Sequence, residues 1–161
     1  MKQIFWLLTI IFTFSAQAFA ENDSNAFEGF YWNSDKSAII ELRLTSDSIE
    51  GFTVWGPAET QKDTKNPDIA LQKHTIIGMK FLSGFEYSDK SNKWKNGKVY
   101  DPESGKTYDA KMGLKNGGDT LEMRGYIGVA LFGRTERFDR VRVENVPKGL
   151  MNAIKSALQA R

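Results

Sequence analysis

The chain has 161 residues, with 22 basic and 20 acidic side chains, one histidine and no cysteine. A net charge of +2 is too balanced for a nucleic-acid-binding protein or for a protein that adheres to anionic membranes through a large basic surface. Without cysteine the fold has no disulfide, so a single hydrophobic core must hold the domain together.

The first twenty residues are typical of a signal peptide. Lys2 supplies the positive start, and residues 4–14 form an apolar run that is too short to span a bilayer. Ala18 and Ala20 satisfy the small-residue rule for cleavage, which we expect after Ala20 or, as an alternative, after Ala18. We therefore predict one domain over residues 21–161, in the periplasm or secreted, with no transmembrane segment.

The first half of this domain contains short strands separated by polar turns. Strands are predicted over residues 29–32, 38–44, 49–55 and 76–87. Gly51 interrupts the third of these and indicates a β-bulge or a tight barrel bend. A long polar loop spans residues 57–68, and loops of this length are usually functional or mobile.

Four further antiparallel strands are predicted between residues 94 and 143. Pro102 and Gly105 favour a four-residue hairpin turn, and the Asn116-Gly117 pair favours the next one. One apolar face alternates through both hairpins, and its members are Tyr108, Ala110, Met112, Leu114, Leu121, Met123 and Ile127. An amphipathic helix is predicted at about residues 148–160, where it plugs an opening or lies on an outer wall.

About eight short strands and one terminal helix indicate an all-β sandwich or barrel. Two long motifs carry a resemblance to a known family. They are Trp94-x-x-Gly97-Lys98-Val99-Tyr100-Asp101-Pro102-x-x-Gly105-Lys106-x-Tyr108 and Arg124-Gly125-Tyr126-Ile127-Gly128-x-x-Leu131-Phe132-Gly133-Arg134-Thr135. Both resemble the bacterial exported family called domain of unknown function 2147. The resemblance implies an antiparallel calycin-like or lipocalin-like β-barrel of about eight strands in the bacterial envelope, and it implies no activity.

Two features depart from that family. Its members often carry a cysteine pair in the long middle loop and a tryptophan in the last strand. Here the loop has no cysteine, and Phe138 stands at the tryptophan position. Redox or metal chemistry in this loop is therefore unsupported, and we expect no cofactor.

The loop region contains the polar residues that metal or triad chemistry would need. His74 is the single histidine, and we interpret it as a solvated side chain rather than as a catalytic base. Asp63, Asn66 and Asp68 match no standard calcium loop and fit turn chemistry equally well. With one histidine and no thiol, no metal site is expected.

An arginine of the last strand is predicted to close one end of the barrel. Calycin barrels commonly stack such an arginine across an aromatic residue of the first strand. Here the pair is Arg140 with Trp32, with the neighbouring Tyr31 as the alternative. A guanidinium over an aromatic ring contributes about 0.5–2 kcal/mol, so this pair is interpreted as structural.

The best polar constellation for ligand binding consists of Asp101, Tyr108, Arg124, Tyr126 and Arg134. Tyr108 belongs to the apolar face, whereas Arg124 and Tyr126 belong to the opposite one, so the set converges only if a bulge at Gly125 reverses the facing. In the structural interpretation, Asp101 caps its turn and the arginines pair with carboxylates. In the functional interpretation, an arginine binds an anion or a polar head group at the barrel mouth.

No catalytic constellation is found, so we predict a non-enzymatic binder of a small apolar or amphipathic ligand in the barrel lumen or mouth. The alternative is an envelope protein–protein interaction module with a filled barrel. Hydrolase activity, a third hypothesis, would need His74 or two carboxylates to meet in a cleft. The lumen version depends on whether side chains fill the interior, and the candidates are Met79, Phe81, Met112, Met123 and Phe138.

Overall fold

The computed structural model describes residues 24–56, 60–142, 146 and 148–159. The predicted signal peptide and its cleavage site lie outside these residues. The strands are β1 Gly29–Trp32, β2 Ile39–Leu44, β3 Ile49–Trp55, β4 Lys80–Ser83, β5 Glu86–Ser88, β6 Lys93–Asp101, β7 Lys106–Lys115, β8 Thr120–Tyr126 and β9 Arg134–Arg140. One α-helix, α1 Lys148–Gln159, follows them. Among the described residues, no helix is long and apolar enough to cross a membrane.

The strands form a closed antiparallel barrel. Their order is β4-β3-β2-β1-β9-β8-β7-β6-β5, and an additional pairing of β4 with β6 closes the sheet on itself. Since β4 and β5 both pair with β6, they act as one strand interrupted at Gly84 and Phe85. The predicted fold of about eight antiparallel strands with a C-terminal helix is confirmed.

Strand direction divides the connections between the two ends of the barrel. Because every neighbouring pair is antiparallel, the β1–β2, β3–β4, β6–β7 and β8–β9 connections lie together at one end, which we call the open end. The β2–β3, β5–β6 and β7–β8 turns lie at the other, which we call the closed end. A 3₁₀ turn at Ser24–Phe27 covers the closed end with Phe27, which is 1% exposed and meets Trp94 edge to face.

Apolar side chains fill the interior toward the closed end. Alternation along each strand turns every second residue inward. Ten inward residues of the strands, together with Phe27 and Phe85, form one buried cluster. Met112 and Met123 are opposite one another within it, and Phe81 and Phe138 pack against it while partly buried. Small residues allow this density: a Cβ on Gly97 would lie 2.3 Å from the ring of Phe85.

The helix lies on the outer wall and does not plug an opening, the other position that the sequence allowed. Leu150 and Ile154, four residues apart, pack against the outward residues Ile39 and Val54. Trp32 and Trp55 meet edge to face in the same outer cluster, with ring centroids 5.9 Å apart.

The bulge predicted at Gly51 is confirmed, whereas the prediction that Ile127 belongs to the apolar face is wrong. The register between β3 and β4 shifts between Gly51 and Phe52, where a Cβ on Gly51 would lie 2.4 Å from the Leu82 side chain. Ile127, by contrast, is 71% exposed. The strand ends at Tyr126, so alternation no longer directs the next side chain inward.

Candidate functional site

Arg140 organises the closed end of the barrel. Its guanidinium lies over the ring of Tyr31, with the central carbon 4.7 Å from the ring centroid. It donates hydrogen bonds to the carbonyl oxygens of Ala26, Glu28 and Gly118 at 2.5–3.0 Å, and to the Tyr31 hydroxyl at 2.5 Å. These contacts join the first turn, the first strand and the β7–β8 turn, so Arg140 is structural.

The stacking partner is therefore Tyr31, and the assignment of Trp32 to barrel closure is wrong. Residues 31 and 32 are neighbours on one strand, and their side chains point to opposite faces. The pairing of Tyr31 with Arg140 turns both inward, while Trp32 turns outward to Trp55.

The five predicted ligand-binding residues do not converge. Ala110 pairs with Gly125 and Lys111 with Arg124 in an unbroken register, so no bulge reverses the facing of β8. Tyr108 points inward near the open end, whereas Arg124 and Tyr126 point outward. Their role in ligand binding remains a prediction, and because they lie on separate surfaces they do not form one binding site.

Asp101 and Tyr108 belong to the β6–β7 hairpin. The Asp101 carboxylate accepts hydrogen bonds from the Glu103 amide at 2.9 Å and from the Ser104 hydroxyl at 2.6 Å. The Tyr108 hydroxyl lies 3.4 Å from that of Ser104. Asp101 thus caps its turn, as the structural interpretation expected.

Arg124 holds the β8–β9 connection. Its guanidinium donates to the carbonyl oxygens of Ala130 at 2.7 Å and Leu131 at 2.9 Å, and to the Thr135 hydroxyl at 2.9 Å. The prediction that Arg124 pairs with a carboxylate is therefore wrong. Arg134 does pair with one, at 2.5 Å from Glu136, and its side chain remains 88% exposed at the mouth.

The described part of the long β3–β4 connection, residues 60–79, is folded against the open end of the barrel, and we call it the flap. Lys62 and Thr75 form an isolated β-bridge, and the Asp63 amide donates to the His74 carbonyl at 3.0 Å. The flap also touches the β6–β7 hairpin, where the Lys65 ammonium donates to the Glu103 carbonyl at 2.5 Å.

A buried carboxylate fastens this flap to the barrel. Asp63 is 1% exposed and accepts hydrogen bonds from the Tyr100 hydroxyl at 2.7 Å and from the Asn66 amide at 2.6 Å. Desolvation, followed by the hydrogen bond to Asp63, raises the pKa of Tyr100 to about 12. The tyrosine therefore stays protonated and donates across the neutral pH range.

A cavity of about 650 Å³ lies between the flap and the barrel wall. Its lining mixes apolar side chains with polar ones: Asp63, Asn66, Leu71, His74, Thr75, Ile77, Met79, Lys80 and Tyr100. It adjoins the end of the β4–β6 pairing, which stops at Leu82 and Val99, since Lys80 of β4 and Tyr100 of β6 both line it. Tyr100 alternates with the inward Val99 and so points away from the lumen, which places this cavity outside the barrel wall and not in the lumen, one of the two ligand positions predicted from the sequence.

Sequence reasoning missed the contact between Asp63 and Tyr100. Asp63 fits turn chemistry and Tyr100 belongs to a motif, and 37 positions separate them. The polar run from Asp63 to Asp68 indicated only that the loop is ordered, and its side chains do bond within the loop: Asn66 to Asp63, and the Asp68 amide to Asn66. His74 is exposed, and the described residues include no group of three carboxylate, histidine or cysteine side chains placed to hold a metal ion.

Comparison with known proteins supports the fold and the family. No curated protein matches the sequence. A solved structure described as "Protein HP1028 from the human pathogen Helicobacter pylori belongs to the lipocalin family" is similar in fold, with a TM-score of 0.67 and 24% identity, over 79% of this chain and 88% of that one. A family model described as "Uncharacterized protein conserved in bacteria (DUF2147)" matches residues 29–140, which include every strand of the barrel. The chain belongs to this DUF2147 family.

Proposed function

We propose that the protein is a non-enzymatic binder of a small apolar or amphipathic ligand, held in the cavity between the β3–β4 flap and the barrel wall. The observation that carries this proposal is the cavity itself. Its volume of about 650 Å³ falls within the range of small-molecule sites, roughly 300–1,000 Å³. A lipocalin-like barrel also suggests ligand binding, although fold alone does not establish it.

The lining favours a ligand with two different ends. Leu71, Ile77 and Met79 offer apolar contact, while the polar groups gather around Asp63 and Tyr100. Asp63 is buried, receives two hydrogen bonds from neutral groups, and has no ion-pair partner within 4 Å among the described residues. A ligand head group that donates hydrogen bonds or carries positive charge would therefore be favoured beside it.

Binding accounts for these residues better than catalysis does. Asp63 and Tyr100 already satisfy each other, and the Thr75 hydroxyl donates to the Ile77 carbonyl at 3.0 Å. A nucleophile needs a base within hydrogen-bond reach, and the Tyr100 hydroxyl has one in Asp63, but burial raises the pKa of Tyr100 to about 12 and so opposes its ionisation. The polar groups order the flap, and the flap encloses the ligand.

We place this binder in the bacterial envelope, on the support of the signal-peptide pattern. Cleavage near Ala20 would leave the predicted domain to fold after export. Intact-mass measurement of protein from the periplasmic fraction should give a chain that begins at Glu21. A mass that includes Met1 would contradict the proposed location.

Ligand binding is tested by extracting natively purified protein with organic solvent and identifying the co-eluting compound by mass spectrometry. The compound is then titrated into a Leu71→Trp variant, because Leu71 lines the cavity and none of the described tryptophans does. A fluorescent alkylamine, whose ammonium group matches Asp63, serves as a parallel probe.

Two variants locate the site. Asp63→Asn should weaken binding, because it removes the charge from the cavity wall. Arg134→Ala, at the mouth, should leave the affinity unchanged if the ligand lies in the cavity, and Arg137→Ala on the same strand is its matched control. If no compound co-purifies and neither probe changes the fluorescence, the interaction-module hypothesis replaces this one.

A further inference from the structure

Four large apolar side chains are displayed on the β8–β9 connection, which we call the apolar loop (residues 127–133). Their exposed fractions are 71% for Ile127, 58% for Val129, 79% for Leu131 and 82% for Phe132. Single exposed apolar residues are ordinary on protein surfaces, but a contiguous group of them marks an interaction surface. The group lies at the open end of the barrel.

The loop is held in this shape rather than left to collapse onto the barrel. Arg124 donates to the Ala130 and Leu131 carbonyl oxygens, and a 3₁₀ turn spans Ala130–Phe132. The loop's end packs tightly on β8, since a Cβ on Gly133 would lie 2.4 Å from the Gly125 carbonyl. A fixed backbone lowers the entropy that the loop would lose on inserting into a partner.

The flap, which the strand order places across the barrel from the apolar loop, adds exposed apolar side chains at the same end. Ile69 is 77% exposed and Leu71 40% exposed, both on the β3–β4 connection. The chain as a whole is nearly neutral, but among the exposed, unpaired side chains on the described part of the open end the basic ones outnumber the acidic ones. Exposed lysines on the flap and the β6–β7 hairpin are Lys62, Lys65, Lys73 and Lys106, against the exposed carboxylates Asp68 and Glu103. At the start of β9, the charge of Arg134 is paired with Glu136. The β1–β2 turn adds one charge of each sign, Lys36 and Asp35.

We propose that the apolar loop inserts into the surface of a lipid bilayer, with the surrounding cations facing anionic head groups. Apolar tips accompanied by exposed lysines are the pattern of proteins that bind at the membrane interface. A protein partner fits less well, because lysine is depleted from protein–protein interfaces. A second copy of the chain would bring the same cations together across a two-fold axis, where they repel.

The proposal is independent of whether the cavity holds a ligand. Binding is measured by co-sedimentation of the full mature chain with phosphatidylethanolamine vesicles that contain phosphatidylglycerol. The double variant Leu131→Ser/Phe132→Ser should bind at least tenfold more weakly, with an unchanged denaturation midpoint. Retention of full binding by this variant would overturn the proposal, as would a wild-type chain that binds neither these vesicles nor neutral ones.

Charge is tested with two lysines on the same strand. Lys106 begins β7 at the open end, and Lys115 ends it at the closed end. Lys106→Glu should weaken vesicle binding several-fold, and Lys115→Glu should not. Equal loss from both, or equal wild-type binding to phosphatidylcholine vesicles, would mean that the cations do not face the membrane as proposed.

Insertion is tested with a tryptophan at each end. The fluorescence of Phe132→Trp should shift to the blue and be quenched by brominated lipids, while that of Lys115→Trp should not change. A Phe132→Trp signal that responds to protein concentration in the absence of vesicles would instead indicate self-association through the apolar loop, which contradicts the proposal.

Discussion

Gly105 is constrained twice, by its own backbone and by a neighbour. Its φ of +69° is disfavoured for residues with a Cβ, and a Cβ here would lie 2.1 Å from the Lys65 carbonyl oxygen. Gly117 has a similar φ of +66° but no heavy atom within 4 Å of the added carbon. The two glycines therefore separate backbone strain from the contact between hairpin and flap.

Gly105→Ala should destabilise the protein more than Gly117→Ala. Backbone strain costs each variant about 1–2 kcal/mol, and Gly105→Ala must also displace the flap. Gly105→Val adds a β-branched side chain and should cost still more. Urea denaturation gives the three free energies of unfolding. Equal losses for the two alanine variants would show that the flap yields without cost.

Of the arginines in β9, Arg140 should contribute most to the free energy of unfolding. Its four hydrogen bonds and its contact with Tyr31 predict a loss of about 3 kcal/mol in Arg140→Ala. Arg140→Lys should recover only part of this, because an ammonium cannot span the same acceptors. Arg137, which is 70% exposed and paired with Glu122, is the control, and its alanine variant should lose less than about 1 kcal/mol. Similar losses at both positions would contradict the closing role.

Tyr31 should make the protein sensitive to alkaline pH. Burial raises its pKa to about 12, although the nearby charge of Arg140 acts in the opposite direction. In the unfolded chain the hydroxyl ionises near the ordinary tyrosine pKa of 10.0. Above that pH the unfolded chain releases a proton that the folded chain keeps. The free energy of unfolding is thus unaffected below pH 10 and falls between pH 10 and 12, by about 2–3 kcal/mol from this group.

Denaturation across this range should show a shallower pH dependence in Tyr31→Phe than in the wild type. Lysines and Tyr100 also titrate there, so the difference between the two curves is the relevant quantity. Parallel curves would indicate that Tyr31 ionises in the folded protein as easily as in the unfolded chain.

At the scale of elements, the sequence predicts what depends on local periodicity. Alternation and turn residues place the two C-terminal hairpins correctly, because each hairpin pairs residues that are close in the chain. The inward side chains from Tyr108 to Leu114 follow from that pattern. Ile127 fails because it lies one residue beyond the strand, where periodicity no longer applies.

The candidate site is less predictable, because it depends on distant parts of the chain. Nothing near Asp63 indicates that Tyr100 will meet it, and nothing near Lys65 indicates the hairpin carbonyl of Glu103. Arg124 stands out in the sequence because it belongs to a long motif that a strand alone does not require. Its three bonds to the β8–β9 connection cannot be foreseen, since that connection has no periodic pattern.

The helix should contribute to stability through its inner face alone. Ile154 is 7% exposed and packs on Ile39 and Val54, so Ile154→Ala should cost about 2–4 kcal/mol. Lys155 is exposed on the next position, and its alanine variant should stay within about 0.5 kcal/mol of the wild type. Denaturant midpoints would test this, and a small loss at Ile154 would mean that the helix detaches readily from the wall.

At the scale of the whole molecule, the barrel separates its core from the surfaces that we propose to bind. The closed end combines the buried cluster with the Arg140 network, and both would be weakened by any space left for a ligand. The open end carries the cavity, the flap and the apolar loop, whose residues contribute little to the core. Loops on a rigid scaffold are where binding surfaces generally occur.

This separation predicts that the flap can open without unfolding the barrel. Tyr100→Phe removes the hydrogen bond to Asp63 and leaves that buried carboxylate with Asn66 as its remaining side-chain donor among the described residues. Loss of a bond to a charged group costs about 1.5–3 kcal/mol, which corresponds to at least tenfold more frequent opening of the flap. Hydrogen exchange measured by mass spectrometry should therefore accelerate in peptides from residues 60–79, while peptides from β7 and β8 exchange as in the wild type. Tyr126→Phe, an outward tyrosine for which no hydrogen bond to the described part of the flap is seen, is the control and should change neither region. Acceleration of both regions by Tyr100→Phe would show instead that flap and barrel unfold as one unit, because only a shared opening exposes the amides of the buried strands.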